Sequence, residues 1–310
     1  MLAFPRVLTA MATPMTADHA VDLDGAQALA AHLVAHGSGG LVVAGTTGES
    51  PTLTHAETVT LFRAVVDAVG DRATVIAGCG KNDTAATVEL VHDATATRVH
   101  GILLVTPYYN RPHARGLTAH FRAAAGATDL PVMLYDIPSR TAREIPTPTL
   151  VELANTVPNI VGVKDAVDDF VKTATVAATT PDTFGIWAGS DATILQTLAA
   201  GGDGVVGVAT HLVGEDIAAM IETFWTDPRK AAAIAHRIQP LCAALFAEPS
   251  PAPLKAALDM VGLPGGAVRS PIVPVEESTR DLLRDALRVA GVRASASEPV
   301  GGDPAREITG

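Results

Sequence analysis

Six side chains in this sequence have types that can act together on a small carbonyl compound, and each follows or ends a short apolar run. Lys164 closes the run Ile160 to Val163, and Tyr135 closes the run from Pro131 and leads into Asp136-Ile137-Pro138-Ser139-Arg140-Thr141. Gly45-Thr46-Thr47-Gly48-Glu49-Ser50 follows a third run and Thr106-Pro107-Tyr108-Tyr109-Asn110 a fourth. A lysine of ordinary pKa, ~10.4, is uncharged in roughly one molecule in 2,500 at pH 7. Burial at the mouth of an apolar enclosure lowers that pKa and makes the amine a nucleophile toward a ketone. The position alone equally suits a lysine whose stem snorkels out to water. Imine formation needs protons moved between amine, carbinolamine and water, and a phenol such as Tyr135 relays them when other hydroxyls adjoin it. Thr46 and Tyr109 are the candidates for that link. Tyr135 also reads as a core aromatic with a satisfied hydroxyl. Thr46 and Thr47 offer hydroxyl and backbone N–H donors for a small carboxylate, or simply form a tight turn between glycines. Arg140 can grip a carboxylate bidentately, although most loop arginines are surface charges.

These residues gain meaning from the elements that must carry them. Apolar, β-branched runs recur at Val7 to Ala12, Gly40 to Ala44, Ala73 to Ala77, Gly101 to Val105, Pro131 to Tyr135, Ile160 to Lys164, Phe184 to Ala188 and Gly204 to Val208. They lack clean polar alternation, as parallel strands covered on both faces do. Helical patterns separate them. Thr54 and Glu57 have capping-box spacing before Val59, Phe62, Val65 and Val69, with Gly70 as a stop. Thr147-Pro148 reads as an N-cap and first turn, and Ser190 as a cap for Ile194, Leu195 and Leu198. Eight strand–helix alternations predict an α/β fold, a (β/α)8 TIM barrel over residues 1–213, although periodicity alone leaves an open doubly wound sheet available. In such a barrel reacting groups lie at the C-terminal ends of strands, where all six residues fall. Beyond the eighth run only helical patterns follow, roughly Glu215 to Trp225, Arg229 to Phe246, Pro253 to Val261 and Glu276 to Ala290. They predict a C-terminal helical region over 214–292 packed on the barrel, and a disordered tail over 293–310.

Composition narrows the partners. At 310 residues and 48% hydrophobic the chain can bury a large core, and a net charge of −11 without a basic run argues against nucleic acid and anionic membranes. Focused cations in a site still permit anionic substrates. Cys79 and Cys242 form no metal-ligand spacing, so no structural zinc and no disulfide framework is expected. With no N-terminal signal segment recognised, the expected compartment is the cytoplasm.

Taken together, GTTGESPTLTHAE (Gly45 to Glu57), TPYYNRP (Thr106 to Pro112), YDIPSRT (Tyr135 to Thr141) and NIVGVKDA (Asn159 to Ala166) resemble the motifs of the dihydrodipicolinate synthase and N-acetylneuraminate lyase family. Order and spacing agree from about Val7 to Leu287. The resemblance implies a class I, pyruvate-dependent lyase on a (β/α)8 barrel, a homotetramer that uses no metal or organic cofactor. It implies Lys164 as the Schiff-base lysine, Tyr135 as general acid/base, and Thr46 and Tyr109 as relay partners, with Tyr109 reaching in from a neighbouring subunit. Thr47 with Thr46 matches the pyruvate carboxylate site, and Gly189 and Val206 match backbone positions lining the pocket. Arg140 and the pair Tyr108-Tyr109 resemble the synthase branch, in which the arginine holds the carboxylate of a second substrate, L-aspartate semialdehyde, on the route to lysine and diaminopimelate.

Departures from the family pattern are few. Ala142 stands where many members have glycine, and Ser190 where Asp is common. Of the residues that bind lysine in feedback-regulated members, Ser50, His55, Asn82 and Tyr108 match, whereas Thr58 replaces a histidine and Ala86 a glutamate. Without that carboxylate, feedback inhibition is expected to be weak or absent. Three other readings stand beside the synthase: a family lyase acting on a sugar acid, or a hydratase-aldolase; a non-catalytic paralogue; and a phosphate-binding barrel isomerase. The last is disfavoured because Gly189-Ser190-Asp191 and the segment Val206 to Leu212 lack a glycine-rich phosphate loop.

Overall fold

A computed structural model of the chain describes residues 2–295. Strands β1 (Val7–Ala10), β2 (Gly40–Val43), β3 (Thr74–Gly78), β4 (Gly101–Val105), β5 (Val132–Asp136), β6 (Ile160–Asp165), β7 (Gly185–Ala188) and β8 (Gly204–Gly207) form a closed barrel in sequence order. Every pair is parallel, including β8 with β1. All eight apolar runs are therefore strands, and the open sheet is excluded. Successive helices are α1 (Leu23–Ala35), α2 (His55–Val69), α3 (Thr84–Thr95), α4 (Ala114–Ala125), α5 (Pro138–Thr141), α6 (Thr147–Thr156), α7 (Phe170–Thr179) and α8 (Ile194–Ala199). After β8 come α9 (Thr210–Phe224), α10 (Pro228–Ala244), α11 (Ala252–Met260) and α12 (Glu277–Ala290), a C-terminal helical part.

Local chemistry explains most boundaries. At α2 the Thr54 hydroxyl accepts from Glu57 N at 3.2 Å, and the Glu57 carboxylate accepts from Thr54 N at 2.8 Å, completing the capping box. Two expected caps are corrected. Thr147 is inside α6, with Pro146 before it, and Ser190 makes no side-chain cap to the 3-10 turn Asp191–Thr193. α9 starts five residues earlier than Glu215, at Thr210, and breaks at Val213 (φ −135°), after which the helix continues to Phe224. The expected tail lies outside the described residues, except for 293–295.

One packing feature bears on the site. Trp187 is fully buried and its indole N–H donates to Pro5 O at 2.8 Å. A Cβ on Gly162 or Gly185 would come within 2.5 or 2.4 Å of the indole, so two bare strand positions make room for the ring. Residues 162 and 164 share a strand face. The indole thus fills the space on the N-terminal side of Lys164. Among the described residues no helix is long and apolar enough to cross a membrane, and no group of His, Cys, Asp and Glu is arranged to hold a metal.

Candidate active site

Register decides the centre of the site. β5 and β6 pair so that Tyr135 lies opposite Lys164 and Asp136 opposite Asp165, while Lys164 faces Trp187 on β7. Lys164 is 5% exposed and its Nζ lies 4.3 Å from the centroid of the Tyr135 ring. An amine is thereby held over the face of a phenol.

The turn after β2 carries Thr46, half-buried, and Thr47, buried. Glu49 N donates to Thr46 O at 3.1 Å, Ser50 N to Gly45 O at 3.2 Å, and the Thr13 hydroxyl to Gly48 O at 2.8 Å. Glu49 itself is left-handed (φ 57°) and turns its carboxylate inward. There it meets Lys255 Nζ from α11 at 2.6 Å and accepts from Arg269 N at 2.9 Å; the two side chains of the ion pair are 3% and 2% exposed. Lys255 also donates to Ala267 O at 2.6 Å, and Arg269 reaches Thr52 O and the Glu57 carboxylate. Burial lowers the pKa of Lys255 in spite of Glu49. The Arg269 guanidinium holds Glu57 down at about 2.

Arg140 is on α5, a single turn in which Ile137 O accepts from Arg140 N and Thr141 N, both at 3.0 Å. The turn ends at Ala142 in the left-handed region (φ 54°), which costs a residue with a Cβ on the order of 1–2 kcal/mol and which a glycine would adopt without that cost. Arg140 is exposed, and among the described residues its side chain has no hydrogen bond or ion pair. The segment is anchored at its ends instead. Asp136, fully buried, accepts from Ile145 N at 3.2 and 3.1 Å, and Lys172 Nζ of α7 donates to Asp136 at 2.7 Å, Glu144 at 2.8 Å and Ile145 O at 2.9 Å. Burial pushes the Asp136 carboxyl up to about 6. Burial opposes the Lys172 charge too, but Asp136 and Glu144 outweigh it and raise that pKa.

Three other expected positions are distributed unevenly. Gly189 N donates to Asp165 O at 2.6 Å, and a Cβ there would come within 2.6 Å of Ala166, so β6 and β7 approach closely beside Lys164. Val206 is fully buried in β8, opposite Leu8. Tyr109 is not brought to the others within one chain: it is 89% exposed, on a left-handed residue (φ 70°). Asp191 is a buried residue beside the candidate site that sequence reasoning missed. It is buried, its carboxylate accepts from Val208 N at 2.9 Å and Ala209 N at 3.1 Å, and burial raises its pKa against those bonds and the nearby Lys164 charge. An acid three residues past a strand end is a capping signal, although the sequence pattern offers Ser190 for that role. His211 ties the same edge, accepting from Ala12 N at 3.1 Å through Nε2 and bonding Val208 O at 2.8 Å through Nδ1. Burial lowers its pKa to about 4.

Two of the residues expected to match a lysine-feedback site are engaged elsewhere: His55 Nε2 bonds Asp93 at 2.8 Å and Asn82 O accepts from Asn110 at 2.7 Å. At the departing position, the Thr58 hydroxyl turns back to Thr54 O at 2.9 Å.

Residues 3–290 match the Dihydrodipicolinate synthetase family. The chain belongs to that family. Among its members, the 4-hydroxy-tetrahydrodipicolinate synthase of Moorella thermoacetica is 49% identical over 288 residues, spanning 93% of this chain and 98% of the relative. A crystal structure of the Cyanidioschyzon merolae family member with lysine bound superposes with a TM-score of 0.92 at 42% identity, covering 94% of this chain and 99% of that one. A monomeric dihydrodipicolinate synthase variant of the family superposes with a TM-score of 0.91 at 34% identity, covering 94% and 98%.

Proposed function

We propose that this chain catalyses the 4-hydroxy-tetrahydrodipicolinate synthase reaction, a class I aldolase-type condensation of pyruvate with L-aspartate semialdehyde. The observation that carries the reading is Lys164, buried, in register with Tyr135 and with Nζ 4.3 Å from its ring centroid. The uncharged amine attacks the pyruvate ketone to give a carbinolamine. Tyr135 moves protons as water leaves and the iminium forms. The positive nitrogen then accepts electrons as a methyl proton departs, giving an enamine whose carbon attacks the aldehyde. Finally the amine of the bound semialdehyde displaces Lys164 by transimination and closes the ring. The iminium is the electron sink, so no step calls on a metal or organic cofactor.

Thr46 and Thr47 hold the pyruvate carboxylate, Gly189 and Val206 line the pocket through their backbone, and Arg140 pairs with the carboxylate of the second substrate. The relay from Tyr135 runs through Thr46 to Tyr109 of a second copy, which suits the exposure of Tyr109 in one chain. The assembly is a homotetramer in the cytoplasm. Residues 1–213 form the catalytic barrel and 214–292 a helical region that supports it. Borohydride reduction with pyruvate followed by intact-mass measurement tests the central step. One pyruvyl adduct per chain is expected for the wild type and none for Lys164→Ala; an unmodified wild type, or an adduct that survives the substitution, would sink the mechanism.

A further inference from the structure

The segment that carries Arg140 leaves β5 at Asp136 and returns to that same residue, whose carboxylate accepts from Ile145 N. A helix of one turn, Pro138–Thr141, has too few internal bonds to hold its own shape in water. Something outside it must. Lys172 is placed to do so: its ammonium has three donors, and the three acceptors it meets are the carboxylate at the start of the segment, a carboxylate near its end and the last carbonyl. Lys172 lies on α7, which follows β6, the strand of Lys164. The bonds therefore tie the Arg140 segment to the strand–helix unit that bears the reacting amine.

We infer that Lys172, with Asp136 and Glu144, is a positioning residue that sets Arg140 against the second substrate and leaves the pyruvate half of the reaction alone. This rests on the proposed function above. The selectivity follows from connectivity. The turn that carries Thr46 and Thr47 is held by Lys255 and Arg269, and shares no side chain with the Lys172 cluster. Loosening one cluster displaces one loop. A misplacement of about 1 Å in a group that orients substrate costs on the order of 10²-fold, so even a slack anchor should be measurable.

The test uses the full-length chain carrying Asp136→Asn and Lys172→Met together, which removes both buried charges and orphans neither. KM for L-aspartate semialdehyde should rise about tenfold or more, while KM for pyruvate and the borohydride-trapped adduct per chain stay at wild-type levels. In an Arg140→Ala background the same pair should add little, because the group it positions is gone. Equal changes for both substrates, no change for either, or full additivity with Arg140→Ala would overturn the inference. If the double variant does not fold, Glu144→Gln reads the tie from its half-exposed end. A selective rise in KM of about threefold supports the role, and an unchanged KM refutes it. A wild-type enzyme that traps pyruvate yet ignores L-aspartate semialdehyde would instead refute the substrate assignment, a distinct failure.

Discussion

The two loops proposed to hold substrate in this barrel are anchored by the same device in two different states of closure. At the turn bearing Thr46 and Thr47, Glu49 and Lys255 are both almost wholly buried, and Arg269 adds a backbone bond and a chain of contacts to Thr52 and Glu57. At the Arg140 segment, Asp136 and Lys172 are buried but the third partner, Glu144, is half in water, and Arg140 itself has no partner among the described residues. A site for a substrate that must be held before any chemistry gains from rigid, desolvated donors. A cation awaiting a second, later substrate gains from staying unpaired, since an internal carboxylate would compete for it. The comparison also assigns the C-terminal helices a task, because the closed clamp is made by α11 and the segment after it.

Breaking the closed clamp should have the largest effect. Lys255→Met leaves Glu49 buried without its countercharge, which costs about 3–5 kcal/mol, and urea unfolding should show the loss directly. A change under ~1 kcal/mol would mean that water reaches Glu49 and that the two clamps do not differ in closure. Next comes Arg140→Ala. Loss of a charge-assisted contact worth about 1.5–3 kcal/mol predicts a ten- to hundredfold fall in kcat/KM for the semialdehyde, with pyruvate trapping intact. An unaffected variant would favour a sugar-acid lyase of the family.

Smaller effects separate charged from neutral ties. His211 is neutral in the fold with a pKa of about 4, below its ordinary 6.5, so the unfolded chain takes up a proton first and stability falls as pH drops from 6.5 toward 4. Glu57, held at about 2 by Arg269, contributes stability that is full above its ordinary 4.5 and lost only as pH falls toward 2. Asp136, raised to about 6, works the other way over the same window, so the comparison is between variants: relative to wild type, His211→Gln should remove a decline of up to about 1.4 kcal/mol per pH unit between pH 6.5 and 4, read from denaturant unfolding across pH. The smallest expected effect is on feedback. With Ala86 and Thr58 in place and His55 bonded to Asp93, sub-millimolar lysine should leave initial rates nearly unchanged, and strong inhibition would show that another residue supplies the missing carboxylate.

Much of the candidate site is legible in the sequence because barrel chemistry collects at strand ends, which apolar runs mark. Lys164, Tyr135 and the Gly45–Ser50 turn stand out as candidates that way, their expected roles come from the family resemblance, and the structure brings the first two together. Ser190 and Asp191 show where such reading fails. Both residue types cap, and only the fold shows that the Asp191 carboxylate meets Val208 N and Ala209 N while Ser190 caps nothing. Lys172 and Lys255 look like ordinary helix lysines in sequence. Nothing local distinguishes a buried ammonium from a solvated one.

By itself, the sequence determined the eight strands, the capping box at Thr54 and Glu57, and the order of reactive types along the chain, all of which depend on neighbours a few residues apart. Tertiary structure alone decided the register that sets Tyr135 opposite Lys164, the meeting of Glu49 with Lys255 and of Asp136 with Lys172, and the exposure of Arg140. These are pairings across long stretches of chain. They exist only once barrel closure has removed the water that would otherwise satisfy each charge separately.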